Sequence, residues 1–256
     1  MPLIKPRRVS TAKRRTIGVC LSICLMLATT EFRRGPNPYP QNEGDWPGVG
    51  VIRVFGFMRG DRGERQLIWS QRRVNQGAVV FVGDSNISGW TTLKDDFAPL
   101  RVANSGVGGD LSRALLFRLK QDVIDFNPRA VVILIGSNDI VAGEELSLLM
   151  SNVTSVLRML RDYNPSLPIV LCKLPPRGNP KDFASRKDVL EFNARLDSLA
   201  ESDSKLVLLD LYRLLALPDG SIDPQNFRED MIHISLTGYR KFHDALTPIF
   251  SQLQVE

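Results

Sequence analysis

Ser85 is the side chain in this sequence best placed to act as a nucleophile. It ends the triplet Gly83-Asp84-Ser85, which closes the apolar, β-branched run AVVFVG (78–83). A serine hydroxyl becomes nucleophilic only when a base takes its proton. The chain holds two histidines, so the candidates are few. His233 stands in a loop ahead of the last helical stretch, with Asp230 three residues earlier. A carboxylate at that spacing can fix the imidazole tautomer and stabilise the imidazolium. His243 falls inside the helical stretch, among Tyr239, Phe242 and Leu246, and reads as a packing or surface histidine. Two more segments at the ends of apolar runs, Asn104-Ser105-Gly106 and Gly136-Ser137-Asn138-Asp139, bring a backbone amide beside a small residue and a side-chain amide. These are donors of the kind that hold a developing oxyanion. Together the residue types suit acyl transfer.

Such residues are useless unless the chain brings them together, and its patterning does so. Short apolar runs at 78–83, 100–104, 130–136, 168–174 and 205–211 read as buried strands. Between them lie helical patterns at 112–126, with Ser112 as its expected N-cap, at 144–163 and at 188–202. A last helix spans 236–253, and residues 61–75 are expected to form a helix leading into the core. Strands alternating with helices specify a parallel sheet covered on both faces. Right-handed crossovers make it a doubly wound three-layer α/β/α sandwich. In such sheets ligands collect at the carboxyl ends of the strands, near the point where strand order reverses. The three segments at the ends of the first three strands meet that condition, and are expected to meet at one edge of the sheet.

Each fragment alone is a weak signal; their joint order is specific. FVGDSNISGW (81–90), VANSGVGGDLS (102–112), VVILIGSNDI (131–140) and DMIHISLTGY (230–239) resemble the four sequence blocks of the SGNH (GDSL-type) hydrolases. KLPPRG (173–178) and the double glycine of NSGVGGD are similar to the platelet-activating-factor acetylhydrolase catalytic-subunit branch and related carbohydrate esterases. The resemblance covers about residues 76–254. It implies a five-stranded, flavodoxin-like sheet, Ser85 as nucleophile, His233 as general base and Asp230 as its orienting carboxylate. It also implies an oxyanion hole made by the Ser85 and Gly106 backbone amides and the Asn138 side chain, with no cofactor. The chain departs from the family pattern at Asn86, where an apolar residue is common.

Other residues have plainer readings beside functional ones. Asp84 and Asp139 flank the site, either bracing its loops through backbone hydrogen bonds or serving as simple turn residues. Trp90 and Arg177 are candidates for the pocket wall, with packing the stronger reading for Trp90. Cys172, inside PIVLCKL, reads as a small buried hydrophobe. Asn152-Val153-Thr154 matches a glycosylation sequon but falls on an expected helix. No Cys/His group has metal-ligand spacing.

The net charge of +5 belongs to the N-terminus. Residues 1–34 carry eight Lys/Arg against one acid, which leaves 25 basic and 27 acidic residues, or −2, for the remainder. That argues against nucleic acid as a partner, which needs a basic face on the domain itself. Lys13-Arg14-Arg15 followed by the apolar residues 16–30 fits a secretory signal peptide or an uncleaved signal anchor. The run is short for a membrane span. Residues 35–60, which begin GPNPYPQNEGDWPG, read as a linker or N-terminal arm, and 61–256 as the catalytic domain. The expectation is an exported serine esterase, periplasmic or extracellular, or held at a membrane through residues 16–30. Its substrates would be short acyl esters, acetyl first, on small molecules or carbohydrates. An acyltransferase or lysophospholipase-like hydrolase would use the same triad. A non-catalytic carbohydrate-binding or scaffold domain is the alternative from another class.

Overall fold

Five short strands of five residues each form one parallel sheet in the computed structural model. The structure describes residues 64–178, 186–203 and 205–255, all within one compact unit. The expected leader (1–34) and arm (35–60) lie outside the described residues. The strands are β1 (Val79–Gly83), β2 (Val102–Gly106), β3 (Ala130–Leu134), β4 (Ile169–Lys173) and β5 (Leu206–Asp210). Their order is β2-β1-β3-β4-β5, all parallel, so the reversal point lies between β1 and β3. This is the doubly wound arrangement expected from the pattern. β1 and β3 are buried along their whole length because helices cover both faces, whereas β5 is an edge with half-exposed Val207 and Leu208.

The helices, in chain order, are α1 (Arg65–Ser70), α2 (Ser85–Ser88), α3 (Leu93–Asp96), α4 (Ser112–Asp122), α5 (Ser137–Val141), α6 (Leu146–Tyr163), α7 (Arg186–Glu201), α8 (Leu211–Leu215) and α9 (Leu236–Gln252). In α6 the i, i+4, i+7 stripe of Leu149, Val153, Val156, Leu157 and Leu160 is buried, as the spacing requires. In α9 it is Tyr239, Phe242, Leu246 and Phe250. Among the described residues no helix is long and apolar enough to cross a membrane.

Two local expectations need correction. Ser112 is not an N-cap: α4 starts at Ser112, and Leu111 occupies the cap position without a side-chain bond. The Asp139 carboxylate, from α5, takes over that role. The second strand runs to Gly106 and not to 104, because its register pairs Gly106 with Gly83 at the end of β1. Asn104, Ser105 and Gly106 are therefore the last residues of the strand, fixed by its ladder.

Candidate active site

Asp84 starts the site. Its side chain accepts the Asn86 N–H at 2.9 Å and so caps the short helix α2. That turn lifts Ser85 off the carboxyl end of β1 at the sheet's reversal point. The Ser85 N–H falls in the first turn of α2, where backbone donors have no acceptor inside the helix. Beside it, β2 approaches so closely that a Cβ on Gly106 would overlap the Ser88 backbone nitrogen. Only glycine permits that contact.

The loop before α9 brings the base. Asp230 Oδ1 accepts the backbone N–H groups of Ile232 and His233, both at 2.9 Å, and Arg228 N–H donates to the His233 carbonyl at 2.7 Å. These bonds coil the loop so that His233 Nδ1 lies 2.6 Å from Asp230 Oδ2. His233 Nε2 lies 2.9 Å from Ser85 Oγ. Partial burial pushes the Asp230 carboxyl upward, but the hydrogen bonds from the His233 ring and from the two backbone amides outweigh it and hold it at about 2. A carboxylate that can only accept places the shared proton on Nδ1, so the lone pair of Nε2 faces the serine hydroxyl. The arrangement can therefore take a proton from Ser85 and return it to a leaving group.

The three segments expected at the sheet edge do converge. Asn138 Nδ2 donates to the Asp110 carbonyl at 2.9 Å, which fixes the amide and leaves its second hydrogen for another acceptor. The Gly106 N–H donates to Asn104 Oδ1 at 3.0 Å, while Asn104 Nδ2 donates to the Ile87 carbonyl at 2.7 Å. Gly106 thus holds an internal acceptor that an oxyanion would have to displace.

A model of the GDSL-like lipase/acylhydrolase family matches residues 81–241, from β1 into α9. The chain belongs to this family, the SGNH hydrolases. It is accordingly a carboxylic ester hydrolase. Over 187 residues it is 27% identical to platelet-activating factor acetylhydrolase IB subunit alpha2 of Rattus norvegicus, covering 70% of this chain and 78% of the relative. The alpha1 subunit of Homo sapiens is 26% identical over 187 residues, at 69% and 78% coverage. In fold it is similar to a GDSL-like lipase from Bacteroides thetaiotaomicron (TM-score 0.65, 20% identity, 73% of this chain and 97% of the other). An acetyl xylan esterase is similar at a TM-score of 0.54 and 22% identity, with 67% and 98% covered.

Two residues around the site of this SGNH hydrolase, Arg118 and Asn86, have roles that the sequence alone did not give. Arg118 is 2% exposed. Its guanidinium contacts Asp110 Oδ2 at 2.8 Å and Asp122 Oδ2 at 3.3 Å, and donates to the carbonyls of Ser105 (2.8 Å) and Gly83 (3.1 Å). One side chain thus ties together the ends of β1 and β2 and the residue whose carbonyl holds Asn138. The signal was available: Arg118 lies three residues after Leu115, on the inward stripe of α4. Asn86 is also buried, and Ile234 N–H donates to its side-chain oxygen at 2.9 Å.

The remaining candidates take definite places. Trp90 is 1% exposed, stacks on Tyr239 at 4.8 Å between ring centroids and donates to Asp96 at 2.6 Å, so it is core. Burial pushes the Asp84 carboxyl up, while the Asn86 N–H, Arg177 and His233 pull it down. Arg177 also lines a small cavity with Pro176, Arg186, Tyr212, Gly220 and Ile222. His243 Nδ1 lies 3.0 Å from Asp244 Oδ1 and its ring rests against Phe97. Cys172 is buried and its thiol is pushed up by burial. Asn152 Nδ2, the atom a glycan would need, donates to Ser112 Oγ at 3.0 Å.

Asp139 supplies the missing cap of α4. Its oxygens accept the Ser112 N–H at 2.9 and 3.1 Å and the Ser112 hydroxyl at 2.5 Å. Complete burial raises its carboxyl from 3.8 to about 7, against the downward pull of the Ser112 bonds. Between those values the native state binds a proton that the unfolded chain does not. The stability this contributes is fully present below 3.8 and is lost as the pH rises through about 7. Asp139→Asn removes the titration. The melting temperature of the wild type minus that of the variant is therefore expected to fall between about pH 4 and about pH 7.5. Thermal unfolding across that range checks it; a constant difference would contradict the assignment.

Proposed function

We propose that this protein hydrolyses short acyl esters, acetyl first, through an acyl-Ser85 intermediate. The observation that carries the reading is the unbroken line Ser85 Oγ, His233 Nε2, His233 Nδ1, Asp230 Oδ2, with contacts of 2.9 and 2.6 Å. In this mechanism His233 takes the Ser85 proton as Oγ attacks the ester carbonyl, and the new C–O bond places negative charge on the carbonyl oxygen. The Ser85 N–H, the free hydrogen of Asn138 Nδ2 and the Gly106 N–H, released from Asn104, stabilise that charge. One such donor is worth about 100–1,000-fold in rate. The imidazolium then protonates the leaving alcohol, and water repeats the sequence to free the acid.

Acetyl as the acyl group is supported by the names of the curated relatives, which are acetylhydrolases, and by the lack of a long apolar lid segment in the sequence. The relatives' names, which give platelet-activating factor as their substrate, support a phospholipid as the acetyl-bearing partner; a carbohydrate is the competing alcohol. Residues 1–34, with basic residues ahead of an apolar run, support export of the enzyme.

Labelling with a fluorophosphonate is expected in the wild type and absent in Ser85→Ala. Equal labelling of the two would remove Ser85 from the mechanism. In a series of aryl esters, kcat/KM is expected to fall from acetate to octanoate. A preference for octanoate over acetate would overturn the short-acyl reading. Acetylated glycerophospholipid and acetylated xylose, compared at equal concentration, separate the two alcohols.

A further inference from the structure

We infer that Asn86 is a positioning residue that, with Tyr239, fixes the Ser85–His233 contact by clamping the nucleophile turn to the base loop. This rests on the triad proposed above. Three polar groups of Asn86 each hold a different element. Its N–H donates to Asp84 Oδ1 at 2.9 Å, its side-chain Oδ1 accepts the Ile234 N–H at 2.9 Å, and its carbonyl accepts the Tyr239 hydroxyl at 3.0 Å. Asp84 is the cap residue that follows β1, Ile234 belongs to the base loop, and Tyr239 to the first turn of α9. The pairing of Asn86 with Ile234 sits one residue along from the pairing of Ser85 with His233 on both segments, so the two contacts act as adjacent rungs. The rung at Asn86 is dry: Asn86 is 2% and Ile234 0% exposed. The catalytic rung is half-open, with side-chain exposure of 33% at His233 and 39% at Asp230.

The difference in burial decides which rung sets the geometry. A hydrogen bond open to water exchanges easily with solvent, so the Ser85–His233 contact holds little by itself. The Ile234 N–H has no water to turn to, and without Asn86 Oδ1 it would be left unpaired. The loop would then move to find an acceptor, taking His233 with it. Displacement of a reacting group by about 1 Å can cost about 100-fold in rate. An apolar side chain at position 86 could fill the space but could not accept from Ile234.

The test is Asn86→Ala, with Tyr239→Phe as a second approach to the same clamp. Tyr239→Phe keeps the ring that stacks on Trp90 and removes only the hydroxyl. Asn86→Ala is expected to lower kcat on an aryl acetate by roughly 10–100-fold with KM changed by less than about threefold. Tyr239→Phe is expected to lower kcat by at least about threefold, in the same sense. The chain's two histidines provide an internal control. In proton NMR the His233 ring signal should shift in both variants while that of His243 stays in place. A folded Asn86→Ala with wild-type kcat overturns the proposal, and so does an equal shift of both ring signals, which marks a general disturbance. If Asn86→Ala does not fold, Tyr239→Phe decides alone: unchanged kcat and an unmoved His233 signal overturn it. The triad itself is judged separately, by Ser85-dependent labelling of the wild type, so failure of one does not mimic failure of the other.

Discussion

Ser85→Ala, His233→Ala and the double variant are expected to lose about the same activity, on the order of 10⁶-fold in kcat, because the two side chains act as one unit. The geometry explains the equality. Nε2 at 2.9 Å has one task, to take the proton of Oγ. Without the imidazole the hydroxyl is a poor nucleophile at neutral pH, and without the hydroxyl the imidazole has nothing to activate. The second removal therefore takes away a function already lost. Asp230→Ala should cost less, roughly 10⁴-fold, because it leaves the reacting atoms in place and removes only orientation and charge compensation. Asp230 is held at about 2, so it stays ionised throughout the range in which activity would be assayed. Loss of activity toward mildly acid pH would thus not arise from that carboxyl. Steady-state kinetics on an aryl acetate measure all four proteins. Losses that multiply in the double variant would mean that Ser85 and His233 work independently, and the proton relay would be wrong.

The fold was legible because five apolar runs and the helical stripes between them leave a parallel sheet as the only way to bury both faces. His233 was legible because the chain holds only two histidines, and the nucleophile and oxyanion segments for a different reason. The reversal point of a doubly wound sheet collects the ends of its strands, so residues at those ends can be read as neighbours without coordinates. The legible part stopped at polar side chains that hold the site in place without reacting in it. Asn86 looked like a departure from a pattern until its acceptor oxygen was seen facing Ile234, 148 residues on. Ser112 had the composition of a cap, yet Asp139 caps the helix from 27 residues away and Ser112 serves as one of its donors. Periodicity reports which face of an element is buried. It does not report which polar groups meet inside, because those bonds depend on distances between loops that no local pattern encodes. Gly106 marks a different limit: its small size was legible, but the local bond from its N–H to Asn104 Oδ1, two residues earlier, was not read from the sequence.

Arg118→Met is expected to destabilise the protein by about 3–5 kcal/mol, because it leaves buried carboxylates without their cation. Asp110 and Asp122 are 1% and 0% exposed, so neither can recover its charge stabilisation from water. Asp122 keeps Arg65 at 2.9 Å and the Trp69 indole N–H at 2.7 Å. Asp110 is the more vulnerable of the two, since Arg118 is the ion partner seen for it among the described residues. For a domain of this size the loss corresponds to a drop in melting temperature on the order of 10 °C. Arg118→Met,Asp110→Asn removes the charge together with its orphaned partner, and should regain part of that loss. Activity is expected to follow a different course. The carbonyls of Gly83 and Ser105 lose the same donor in both variants, and these residues lead into Ser85 and Gly106. The double variant should therefore recover stability without recovering kcat. Thermal unfolding and kinetics on the same two preparations separate the effects. Parallel recovery of both would mean that Arg118 serves the site only by keeping the domain folded.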